Sequence, residues 1–97
     1  MKKLTLLKDV REGYYYIATR PNSEDKIVYC ISVMKTFYKH VDNTIYQIRL
    51  QDIDFHNAYL NLSANDGDKQ VKTKLYRIGK KDIPKYKLSL NIKNTLV

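Results

Sequence analysis

The feature that most constrains this chain is the period of its apolar residues, which is two rather than 3.6 over most of the length. A period of two sends successive side chains to opposite faces of an extended backbone, so it selects strands over helices. Tyr, Ile, Val and Thr fill these runs, and such side chains suit a half-buried pleated surface. At 97 residues, 43% of them apolar, the chain holds one β domain, residues 1–97. A chain of this size buries roughly 60–65% of its unfolded surface, enough for one modest core.

The runs can be placed along the chain. Residues 13–19 read as a strand opened by Gly13, with Tyr14, Tyr16 and Ala18 on one face and Tyr15 and Ile17 on the other. Residues 20–25 hold Pro21, Asn22 and Ser23 and read as a loop. Lys26 to Tyr38 is a long strand. Ile27, Tyr29, Ile31, Val33 and Phe37 fall on one of its faces; Val28, Cys30, Ser32, Met34, Thr36 and Tyr38 fall on the other. A strand of that length calls for a bend or bulge.

Two turn signals set expected registers. With Asp42-Asn43 as a two-residue turn, Phe37 faces Ile48, Lys35 faces Leu50 and Lys39 faces Tyr46. With Asp66-Gly67 as a second turn, the strand Ala58 to Ser63 pairs so that Leu62 faces Val71, Leu60 faces Thr73 and Ala58 faces Leu75. Residues 51–57 suit a loop or one helical turn, and residues 3–9 suit a first strand or a short helical turn. Gly79 to Pro84 breaks the alternation. Tyr86 to Lys93 restores it, with Tyr86, Leu88, Leu90 and Ile92 on one side. The expected fold is all-β: a small barrel or sandwich, SH3-like or OB-like, of about six antiparallel strands, with a short helical turn near 51–57.

Several function classes fall away. No apolar run approaches the ~20 residues of a membrane-spanning helix. Lys8 and Asp9 cut the N-terminal apolar stretch short of the ~7–15 residues of a signal-peptide core. The chain is therefore expected in the cytoplasm. One Cys excludes a disulfide framework and a four-thiolate zinc site. Cys30 lies mid-strand, and no local signature links it to His40 or His56, so it reads as a buried, inert thiol. Asp52, Asp54 and His56 alternate as metal ligands would on an extended segment, but two aspartates in a loop more often do turn and cap chemistry. No cofactor or metal is expected. No nucleophile–base pair or glycine-rich phosphate loop is present, so the chain reads as non-enzymatic.

Charge is the remaining signal. The net charge is +8, from 18 Lys and Arg against 10 Asp and Glu. Residues 1–48 carry eight basic and five acidic groups, residues 49–68 carry Arg49 against four aspartates, and residues 69–97 carry nine basic groups against Asp82. The excess in the last third projects a positive field. In the expected second hairpin, the face away from the core sets Tyr59 beside Lys74 and Asn61 beside Lys72, with Tyr76 following. Aromatic rings that stack bases, interleaved with cations that neutralise phosphates, are the means of binding single-stranded nucleic acid. Lys80, Lys81, Lys85 and Lys87 extend the field. The chain thus reads as a small nucleic-acid-binding module, single strands favoured. The bland account of the same residues is ordinary cross-strand Tyr–Lys pairing on a solvated sheet. The alternative function is a protein-binding module, a small inhibitor or adaptor that docks on an acidic partner surface. For that reading Tyr14, Tyr15 and Tyr16 offer an interface patch, against the plainer role of core packing.

Overall fold

The structure, a computed structural model, describes residues 4–5, 9–38, 43–54, 62–65 and 73–95. It is mostly β, with one short helix. The elements are β1 (Leu4–Thr5), β2 (Tyr15–Thr19), β3 (Lys26–Tyr38), β4 (Asn43–Asp52), β5 (Leu62–Asn65), β6 (Lys74–Ile78), a 3-10 turn (Lys80–Asp82) and α1 (Ile83–Thr95). The body of the sheet is four antiparallel strands in the order β6-β2-β3-β4. The two-residue β1 lies along β6, and the four-residue β5 lies along β4. Among the described residues no pairing joins β1 to β5. Of the expected barrel or sandwich of about six antiparallel strands, the described residues thus show the β character and the antiparallel pairing, as an open sheet with fewer full strands and no closed barrel. No helix among the described residues is long and apolar enough to cross a membrane.

Gly13 opens β2 with φ of +85°, a left-handed value that side chains with a Cβ avoid. Its N–H donates to the Cys30 carbonyl at 3.0 Å, and the Cys30 N–H donates to the Tyr14 carbonyl at 3.0 Å. At the far end of β2, Ser23 N–H donates to the Arg20 carbonyl at 3.3 Å, with Asn22 at φ 59°. Proline followed by a residue with positive φ is the order a type II turn requires.

The long β3 spans the expected residues and contains the expected bulge. Cys30 pairs with Leu50 and Ser32 pairs with Arg49, which leaves Ile31 as an extra residue. The extra residue changes which side chains share a face. Val28 and Cys30, before it, join the same core as Val33, after it. Strict alternation puts Val33 on the face opposite to those two, so the bulge corrects that assignment.

The β3–β4 register also differs from expectation. Phe37 pairs with Thr44, Lys35 with Tyr46 and Val33 with Ile48, and Tyr38 and Asn43 close the ladder. Asn43 is therefore a strand residue rather than half of a two-residue turn, and Lys35 rather than Lys39 stands opposite Tyr46. Lys39, His40 and Asp42 lie outside the described residues. Relative to expectation, the partner of Phe37 moves by four positions. An even shift leaves each side chain on its own face, which is why Tyr46, Ile48 and Leu50 still reach the core.

The second expected hairpin is overturned at Leu75. Its neighbours are Thr5 of β1 and Ala18 of β2. With a strand on each side, Leu75 has no edge left for Ala58. In the other two expected pairs, Leu60 with Thr73 and Leu62 with Val71, Leu60 and Val71 lie outside the described residues. Instead β5 pairs with β4, Ile48 opposite Leu62.

The last correction concerns residues 86–93, which are helix rather than strand. Ile83, Tyr86 and Leu90 stand at i, i+3 and i+7 and pack against Ile17, Ile27 and Ile78. Leu88, which alternation places beside Leu90, is 63% exposed. Pro84 falls in the first turn of α1, where its missing N–H costs no helical hydrogen bond. The sheet thus buries apolar side chains on both faces. One face packs Val10, Tyr16, Val28, Cys30, Ile48, Leu50 and Leu75; the other lies under α1. At the expected helical turn of residues 51–57, β4 runs on to Asp52, Ile53 and Asp54 form a turn, and residues 55–57 lie outside the described residues.

Candidate functional site

The end of β6 and the start of β2 meet as neighbours, Tyr15 opposite Ile78 and Tyr16 opposite Arg77. This pairing brings Tyr14 and Arg77 together on the sheet face away from α1. The Arg77 guanidinium lies over the Tyr14 ring, 3.8 Å from its centroid. Both residues are exposed. A cleft of about 420 Å³ opens beside them, between the segments Gly13–Tyr15 and Arg77–Lys80. Among the described residues its lining contains no carboxylate. Glu12, next in sequence, is engaged elsewhere: its Oε1 accepts the Val33 N–H at 3.2 Å.

Of the cations of the expected site, Lys80 lines this cleft and the others are spread more widely. Lys80 and Lys81 are exposed on the 3-10 turn, which is closed by the Asp82 N–H donating to the Gly79 carbonyl at 2.9 Å. Lys85 is exposed on α1, its Nζ 6.0 Å from the centroid of Tyr86. Lys74 is exposed at the opposite end of β6, paired with Thr19. Lys87 forms an ion pair, Nζ to Asp54 Oδ1 at 3.1 Å. Tyr76 is not on an open face: it is half-buried against the cluster beneath α1. Tyr59, Asn61 and Lys72 lie outside the described residues. The expected Tyr59–Lys74 pair belongs to the overturned register.

Sequence reasoning missed Tyr14 and Arg77 as partners. Their meeting depends on β2 pairing with β6 across some sixty residues of chain, which no local pattern announces. The alternation of the tyrosines was legible. Tyr16 is buried, Tyr15 is half-buried on the other face and Tyr14 is 42% exposed. The triplet is therefore partly core and partly surface.

A second cleft, of about 270 Å³, has the opposite character. Glu24, Asp25, Asp52 and Asp54 line it, together with Lys26 and Lys87. Here Asp52 Oδ1 accepts the Asp54 N–H at 3.1 Å, which is turn chemistry. His56 lies outside the described residues. Among the described residues no group of three or more His, Cys, Asp or Glu side chains is arranged to hold a metal.

The buried groups are chemically quiet. Cys30 is fully buried, and burial, reinforced by the charge of Glu12, pushes its thiol up to about 11. A thiol held neutral is a poor nucleophile. The Tyr16 hydroxyl accepts the Arg11 N–H at 3.0 Å, and burial raises its pKa above the usual tyrosine value. Comparison with protein-family models, curated proteins and solved structures finds no match for the chain.

Proposed function

We propose that the protein is a small, non-enzymatic, cytoplasmic module that binds single-stranded nucleic acid through the surface around β6 and the start of α1. The observation that carries this reading is the run of exposed cations Lys74, Arg77, Lys80, Lys81 and Lys85, interrupted by one acid, Asp82. Phosphate neutralisation is the largest sequence-independent contribution to nucleic-acid affinity, and it needs such a run on an open surface. The exposed Tyr14 beside Arg77 adds a ring at the same surface. Tyr76 drops out of the contact set because α1 covers its face. Lys87 contributes less than Lys80 or Lys81 because Asp54 already neutralises it.

The test is fluorescence anisotropy with labelled single-stranded and duplex DNA and RNA, at low and near-physiological salt. The expected result is binding that prefers single strands and weakens with salt. Each neutralised phosphate adds about −0.7 to the log–log slope for a single strand. The double reversal Lys80→Glu, Lys81→Glu is expected to abolish binding without loss of fold. Absence of binding at low salt sinks the reading. The second reading, a module docking on an acidic protein surface, is favoured by the exposed apolar Met34 and Leu88, 60% and 63% exposed. Isolated exposed apolar residues are common on soluble surfaces, so this observation supports less than the cation run does.

A further inference from the structure

We infer that the cleft beside Tyr14 holds one unpaired nucleobase of the bound strand, stacked on the Arg77 guanidinium, with an adjoining phosphate on Lys80. The inference rests on the nucleic-acid reading and specifies how one part of the surface would work.

A guanidinium is a plane with two faces. In Arg77 one face lies over the Tyr14 ring at 3.8 Å. Arg77 is exposed and lines the cleft, so the side of the guanidinium away from the ring is the one a ligand in the cleft can meet. The contact with the Tyr14 ring favours one placement of a side chain that would otherwise sweep a wide arc. Planar cations stack on the π-faces of bases as they do on aromatic rings. The cleft has the volume for one base: about 420 Å³ falls in the range of small-ligand sites. Gly13 and Gly79 are among its lining residues and put no side chain into it. Among the described residues Lys80 supplies the one further cation in the lining, and no carboxylate there competes for it. A site built only to hold backbone phosphate would need neither the ring nor the oriented plane. Among the described residues, the acidic cleft at the other end of the β2–β3 hairpin has neither an aromatic ring nor an arginine in its lining.

Two strands of equal length and equal phosphate number separate stacking from charge: an oligothymidylate and its abasic counterpart, compared by anisotropy at one salt concentration. Base stacking in single-strand sites is worth about 1–3 kcal/mol per base, so loss of the bases is expected to raise Kd about 5- to 150-fold. Arg77→Lys keeps the charge and removes the plane. In that variant the thymidylate strand is expected to weaken while the abasic strand is unchanged, and thermal melting checks that the fold is intact. Equal binding of the two strands by the unaltered protein overturns the stacking inference and leaves the nucleic-acid reading standing. So does an Arg77→Lys variant that weakens both strands alike or neither. Failure of both strands to bind at low salt overturns the nucleic-acid reading itself.

Discussion

The backbone N–H of Val33 donates to the Oε1 of Glu12 at 3.2 Å, across 21 residues of sequence. Val33 follows directly on the residues where the β3–β4 ladder is interrupted. A bulge leaves backbone groups without their ladder partners, and here a carboxylate from the loop before β2 supplies one. Glu12→Ala is expected to lower stability by about 0.5–1.5 kcal/mol, the net contribution of a typical hydrogen bond. Glu12→Gln keeps an acceptor and should lose less. Urea denaturation of the three proteins checks both statements, and equal losses in the two variants would show that charge rather than acceptance matters.

The bulge itself makes a sharper prediction. Deleting Ile31 restores strict alternation and forces either Val28 and Cys30 or Val33 out of the core they now share. The deletion is expected to abolish the cooperative unfolding transition. Ile31→Ala keeps the extra residue and should leave the transition in place. A deletion variant that melts like the parent sinks this account of the register.

Helix and strand make opposite predictions for two leucines. On a strand, Leu88 and Leu90 would share a face. On α1, Leu90 packs against the Ile17–Ile27–Ile78 cluster and Leu88 is 63% exposed. Leu90→Ala is therefore expected to cost about 2 kcal/mol, at the low end for truncating a packed leucine. Leu88→Ala is expected to stay within about 0.5 kcal/mol. Paired thermal melts read the difference.

Cys30 gives a pH dependence with a definite sign. Its thiol is raised from 9.0 to about 11 in the fold. Above pH 9 the unfolded chain releases this proton while the folded chain retains it. Folding stability from this group is complete below pH 9, declines between pH 9 and 11, and is lost above that. The decline is on the order of 3 kcal/mol, because each tenfold difference in proton affinity between the two states corresponds to about 1.4 kcal/mol. The raised Tyr16 hydroxyl continues the slope at higher pH. Cys30→Ala is expected to flatten the profile between pH 9 and 11 relative to the parent, measured as denaturation midpoints across that range.

These residues also show what was legible in the sequence. β3 was readable from Lys26 to Tyr38 because its turn residues and β-branched run are local. The split of Tyr14 and Tyr16 from Tyr15 was readable because pleating alone dictates it. The identity of the residues on the β3 core face was not, because a bulge of known necessity has no local marker at Ile31. The helix at Ile83–Thr95 was misread because Tyr86, Leu88, Leu90 and Ile92 mimic alternation. The competing signal, Pro84 followed by Tyr86 and Leu90 at helical spacing from Ile83, was present and shorter. The Tyr14–Arg77 contact was out of reach, since it follows from β6 entering the sheet beside β2. Of the cations singled out, Lys74, Lys80, Lys81 and Lys85 are exposed and Lys87 is ion-paired, whereas Tyr76 is turned to the helix side.

The place of β6 between β1 and β2 sets an order of events during synthesis. As the chain leaves the ribosome, β2, β3 and β4 can zip into successive hairpins from local contacts. β1, although made first, has no neighbour to join until residues 74–78 arrive, and such distant pairings form late. Until then β2 keeps a bare edge, and Ile17 and Ile27 await the helix that will cover them. A chain cut short before residue 74 is therefore expected to be a sticky half-sheet rather than a smaller version of the protein.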